Sequence, residues 1–146
     1  MNFDPRTDAS LRWAIRVIIL LAAYQLAIGT YFIALRPPLL PEDLRFLKLA
    51  TIPEGLVPWL RLGFAVLGGQ MVASGLLLVP FIKNLRSGSG SGALDLACFI
   101  GAGLVSVGVM SAVNLMLRSD FRWVLLVPAL AWGVAVLLVR ASRASS

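Results

Sequence analysis

The stretch "VIILLAAYQLAIGTYFIAL", residues 17–35, holds no charged side chain. As a helix rising 1.5 Å per residue, it is about as long as the ~30 Å hydrocarbon core of a bilayer is thick. A lone strand could not stand there, because its backbone N–H and C=O groups would face lipid without partners. The run is too long for the apolar centre of a secretory signal, and Asp4 and Asp8 interrupt the basic residues ahead of it. No small-x-small site leads into a polar mature start. It reads as a retained first membrane helix that also directs insertion.

Working outward, the apolar segments fall at about 13–35, 60–82, 93–117 and 123–139. Each has a length that spans a bilayer. The expected fold is all-α, an integral membrane four-helix bundle forming a single transmembrane domain over 1–146. The first connection, beginning "RPPLLPEDLR" at residue 36, is dense in proline and charge. Pro37 and Pro38 stop helix one. A short interfacial helix follows over about 42–50, with Pro41 at its start and Glu42 and Asp43 complementing its positive end. The second connection, "KNLRSGSGSG", contains a flexible Gly/Ser linker at 87–92. The third, "RSDFR" from residue 118, is a tight turn that makes helices three and four antiparallel neighbours.

Composition agrees and narrows the chemistry. The chain is 59% hydrophobic and 14% charged, with mean hydropathy +0.88. It has no His, so imidazole is excluded as a metal ligand, haem ligand or general base. Cys98, the single cysteine, can form neither an intrachain disulfide nor a thiolate metal site alone. The net charge of +6 sits at the ends of apolar spans, where basic residues anchor helices at headgroups, and does not point to nucleic acid. Lys and Arg divide seven against six between the two sides, and the three arginines ahead of the first span place both termini in the cytoplasm. The expected location is a bacterial inner membrane.

Ionisable groups are nearly absent from the spans, where any would suggest function. Asp95 enters helix three by two residues and Arg16 enters helix one by three. Either they are end-of-helix anchors, or Asp95 pairs with Arg16 or Arg86 on the cytoplasmic side. No deeper carboxylate continues a proton relay. Gln25 and Gln70 lie midway along helices one and two and would meet at one depth as an amide pair. With Ser74 and Asn114, and with Tyr24, Thr30, Ser106 and Ser111 nearby in the spans, they form either interhelical glue or a polar cleft.

Small residues recur at four-residue steps. Helix three carries Ala93, Ala97 and Gly101, then Ala102 and Ser106, then Gly108 and Ala112; helix two carries Gly69 and Ala73. Such spacing lets helix backbones approach closely, within the chain or with a partner subunit. Pro128 removes a backbone bond to Val124 and is expected to kink helix four. Trp13, Trp59 and Trp123 fit interfacial belts, while Trp132 is a packing residue. The cluster Glu42, Asp43 and Arg45, stiffened by proline, is a candidate outward docking cap.

The stretches "AIGTYFIALRPPLLPEDL" and "RLGFAVLGGQMVASGLLLV", with the turn "RSDFRW", resemble small bacterial inner-membrane proteins of the DoxX-like kind, some of whose relatives are known only as domains of unknown function. The resemblance implies a four-helix fold and a membrane location, and carries over no catalytic residue. No nucleophile–base pair, metal cluster or phosphate-cradling loop is present in the sequence, so no enzyme and no cofactor is expected. The expected function is structural or accessory, through helix packing with itself or a membrane partner by way of helix three. The alternative is a carrier of a small solute or lipid, with the cleft between helices one, two and three.

Overall fold

The computed structural model describes residues 5–48, 51–87, 92–120 and 122–144, without the side chains of residues 5–8 and 42. Its elements are α1 (Pro5–Ala34), α2 (Pro41–Leu47), α3 (Leu56–Ser87), α4 (Ala93–Gly103), a π-helical turn (Leu104–Gly108), α5 (Val109–Met116) and α6 (Arg122–Ala144). There is no strand among the described residues. α4, the π turn and α5 run on as one rod, so four apolar helices cross-brace one another: α1, α3, this rod and α6. The chain is an all-α four-helix bundle and a multi-pass membrane protein.

The helices outrun the apolar segments that announce them. α1 begins at Pro5, where a missing N–H costs nothing in a first turn, and α3 starts four residues before the expected 60 and ends at Ser87. Hydropathy marks only the lipid-immersed part of a helix; the backbone continues while its polar residues reach headgroups and water. α2 is shorter than the expected 42–50. Lys48 adopts the left-handed conformation (φ +48°) and ends it, while 49 and 50 lie outside the described residues. So does most of the Gly/Ser linker, at 88–91.

α1 is the hub, packed along its length against α3 on one side and α6 on the other, with the third rod lying against α6. The buried residues of α3 are Gly68, Met71, Gly75, Leu78, Ile82 and Leu85, at the three- and four-residue steps of one helix face. Against α1, two glycines bring the backbones together. A methyl group on Gly29 would stand 2.7 Å from the Gly68 carbonyl oxygen, and one on Gly68 would stand 2.5 Å from that of Gly29. One end of the core is an aromatic stack across three helices. Phe81 of α3 lies 4.6 Å from Phe99 of α4, which lies 4.9 Å from Trp132 of α6, ring centre to ring centre.

Trp132 also uses its polar edge. Its Nε1–H donates to the Phe99 carbonyl at 3.0 Å, and the indole rests on Gly103, where any side chain would collide with the ring. Farther along, the Ser111 hydroxyl donates to the Leu125 carbonyl at 2.8 Å. α6 runs unbroken through Pro128, and this bond crosses to it one residue beyond the carbonyl that the proline leaves without an amide.

Candidate functional site

The most buried polar side chain lies where α1, α3 and the π turn meet. Gln25 is 0% exposed, in a surface otherwise made of Leu21, Ala22 and their neighbours. Its Nε2 donates to the Ser106 hydroxyl at 3.4 Å, a long and therefore weak bond. Ser106 in turn donates to the Ala102 carbonyl at 2.6 Å, one turn back across the π-helical segment. Gly75 of α3 faces this point: a methyl group there would stand 3.1 Å from Gln25 Cβ and 3.1 Å from the Ala22 carbonyl oxygen. Gln25 Oε1 is buried without a hydrogen-bond partner, and so is the neighbouring Tyr24 hydroxyl. A π turn widens a helix locally and recurs at functional positions. Here it carries Ser106 toward the amide.

The expected Gln25–Gln70 pair does not form. Gln70 is exposed on the outer face of α3. Depth was the wrong criterion, because rotation decides which residues meet. Gly68, Met71 and Gly75 set the seam, and a residue one step before Met71 points about 100° away from it. Ser74 is half-buried on α3, and the Asn114 amide donates back to the Met110 carbonyl at 2.9 Å within its own helix. The four expected cleft residues are therefore not brought together. Ser106, named in the sequence only as one donor among several, is the partner of Gln25.

The Asp95–Arg16 ion pair, the alternative to end-of-helix anchors, is absent among the described residues. Asp95 sits in the first turn of α4, where the helix dipole favours a carboxylate. Arg16 stacks on Trp13, 4.9 Å from the ring centre, at the surface. Both are end-of-helix anchors.

At the other end of the bundle, the cap is pinned. Arg36 is nearly buried, with its guanidinium carbon 3.4 Å from the Phe64 ring centre and 5.5 Å from that of Phe32. Its Nη2 pairs with Asp43 Oδ2 at 3.2 Å, and Nη1 donates to the Pro37 carbonyl at 2.9 Å. The same Asp43 oxygen accepts the Leu40 backbone N–H at 2.8 Å, which closes the start of α2. Arg45 reaches across to Asp120 at 2.7 Å, tying the first loop to the turn before α6. Of the three expected cap residues, Asp43 and Arg45 are thus structural ties, and the Glu42 side chain lies outside the described residues. Sequence reasoning missed Arg36 as the clamp, although an arginine between two prolines and an aromatic-rich helix end was visible.

The outer surface offers an apolar recess, of about 420 Å³, between the third rod and α6. Gly103, Leu104, Gly108, Trp132, Gly133 and Val136 are among its walls. Unlike Gly29 and Gly68, the glycines Gly101 and Gly133 have open space where a side chain would go. Among the described residues, no three Cys, Asp or Glu side chains gather as metal ligands. No protein-family model, curated protein or solved structure matches the chain.

Proposed function

We propose that this protein is a non-enzymatic accessory component of a bacterial inner membrane, with both termini cytoplasmic, which acts by packing a transmembrane helix of a second copy or of a membrane partner against its third rod and α6. The observation that carries this reading is the apolar recess that Gly133 lines, together with the open space at Gly101 on the third rod. A glycine inside a helix costs about 1 kcal/mol relative to alanine. Gly29, Gly68 and Gly103 offset that cost by close approach inside the bundle; Gly101 and Gly133 have no such contact within the chain. Small residues facing lipid permit the close backbone approach on which membrane helix association depends. The resemblance to DoxX-like proteins adds a family expectation of fold and location, and no activity.

Cys98, exposed on α4, is a native attachment point for testing this. Donor- and acceptor-labelled copies are mixed in vesicles and energy transfer is followed as protein is diluted in lipid. Self-association predicts transfer above the random-proximity level, and Gly133→Leu, which fills the recess, lowers it at least tenfold in apparent affinity while thermal unfolding stays cooperative. Random-level transfer for the wild-type chain, with no defined membrane protein crosslinked through Cys98, refutes the reading.

One observation favours the second reading, a carrier of a small solute or lipid. The Gln25 carbonyl oxygen and the Tyr24 hydroxyl are buried and unpartnered. Buried polar atoms are rarely left so, and a bound molecule with a hydrogen-bond donor would satisfy them. Native mass spectrometry of the protein released from nanodiscs tests this. One small added mass per chain, lost in Gln25→Leu, supports carriage; a bare chain removes it.

A further inference from the structure

We propose that the groove between α2 and the turn leading into α6 is a binding site for an anionic phospholipid. The groove encloses about 610 Å³ and is lined by Arg45, Phe46, Lys48, Met116, Leu117 and Arg118. Its composition is divided. Three cations stand with three apolar side chains, as a molecule with a charged head and a hydrocarbon tail requires.

Its position matches that division. Met116 is the last residue of the third membrane rod, and Arg118 begins the turn just beyond it. This is the depth at which a span passes from hydrocarbon to headgroups. Phe46 and Met116 are largely exposed, at 62% and 82%, and offer an acyl chain an apolar wall just below the charge. Arg45 is partly neutralised by Asp120. Lys48 and Arg118 have no ion-pair partner among the described residues, and together they leave the groove a net positive charge.

The backbones that carry both of these cations are held at helix ends. Lys48 and Arg118 are the two non-glycine residues with left-handed φ among the described residues, at +48° and +50°. Lys48 N–H closes the end of α2 on the Leu44 carbonyl, and Arg118 N–H closes the end of α5 on that of Leu115. The Arg45–Asp120 tie then holds the two helix ends across from each other. Lys48 and Arg118 therefore line one groove from two helix ends. A diester phosphate offers one negative charge and several acceptor oxygens to such a pair. A zwitterionic lipid brings its own cation into the same space and is disfavoured.

The test uses the full-length protein in nanodiscs of phosphatidylcholine with one fifth phosphatidylglycerol, followed by native mass spectrometry of the retained lipid. Retention enriched in phosphatidylglycerol over its share of the bilayer is expected. Lys48→Gln with Arg118→Gln lowers that enrichment about fivefold for each cation removed. Lys83→Gln with Arg86→Gln, at the opposite end of the bundle, leaves it unchanged. Lys48→Arg keeps it, which separates charge from loss of folding, and thermal unfolding of every variant checks the same point. Retention of phosphatidylglycerol at no more than its share of the bilayer, or equal loss from the two double variants, overturns the proposal. Free phosphate that competes as well as the lipid does also overturns it, because the apolar wall would then contribute nothing.

Discussion

Gly68 and Gly69 are adjacent in the sequence and opposite in role, so the same substitution at each should act with opposite sign. A Cβ on Gly68 would meet the Gly29 carbonyl oxygen at 2.5 Å, Ile33 Cγ1 at 2.8 Å and the Ile33 nitrogen at 3.0 Å. Two of these atoms are backbone and cannot rotate away, so α1 and α3 must separate. A Cβ on Gly69 meets nothing within 4 Å. Alanine is favoured over glycine in a helix by about 1 kcal/mol, and overpacking a tight contact costs about 1–3 kcal/mol. Gly69→Ala should therefore stabilise by up to about 1 kcal/mol, and Gly68→Ala should destabilise by up to about 2 kcal/mol. Equilibrium unfolding in mixed micelles, followed by circular dichroism, measures both. The double variant Gly29→Ala with Gly68→Ala should cost less than the sum of its parts, because the first methyl opens the gap that the second enters. If Gly68→Ala and Gly69→Ala shift stability alike, or the two interface variants add, the backbones do not touch at this point.

Three further substitutions probe the polar groups. Gln25→Leu removes one long hydrogen bond and one unpaired buried acceptor, so stability should stay level or rise by up to about 1 kcal/mol; a fall of more than that in thermal or denaturant unfolding would mean that Oε1 has a partner. Arg36→Ala leaves Asp43 half-buried without its cation and uncovers Phe64, costing about 1–2 kcal/mol, and Arg36→Lys should recover little because an ammonium cannot stack flat on the ring. Trp132→Phe removes the indole's hydrogen bond to the Phe99 carbonyl and should cost about 1 kcal/mol. Trp132 is the one buried tryptophan, so brominated lipids should quench Trp13, Trp59 and Trp123 strongly, and Trp132→Phe should remove the unquenched share of the fluorescence.

The four spans were legible because burying a backbone in lipid leaves one local solution, the helix, and 17–35 already fixes its length. The tight turn at 118–122 likewise forces neighbouring antiparallel helices, as found for α5 and α6. Side-chain pairing was not legible. Gln25 and Gln70 share a depth, but rotation about each helix axis depends on which small residues seat against each other, and Gly68 and Gly69 are indistinguishable until that seat is known. The same holds for Trp132, read as packing from its mid-helix position. Its role follows from Gly103 lying opposite it on another helix, which no local pattern encodes. The π turn has no sequence signature at all: "LVSVG" reads as ordinary helix.

The rigidity of "RPPLLPEDLR" has a mechanical explanation in these contacts. Pro37 and Pro38 end α1, and Arg36 locks the chain by binding Asp43, the Pro37 carbonyl and the Phe64 face together. α2 is thereby tethered through Arg36 to the Phe32 and Phe64 rings of α1 and α3, and Arg45 carries the restraint on to Asp120. That exposed pair adds little to stability, since both partners are well hydrated, at 63% and 65% side-chain exposure. Its consequence is positional. It joins two loops that are far apart in the chain, and Lys48 and Arg118 line the same groove as Arg45. Arg36, Asp43 and Arg45 of this stretch are thus consumed in holding the cap, and the cations left to meet a ligand, Lys48 and Arg118, lie outside it.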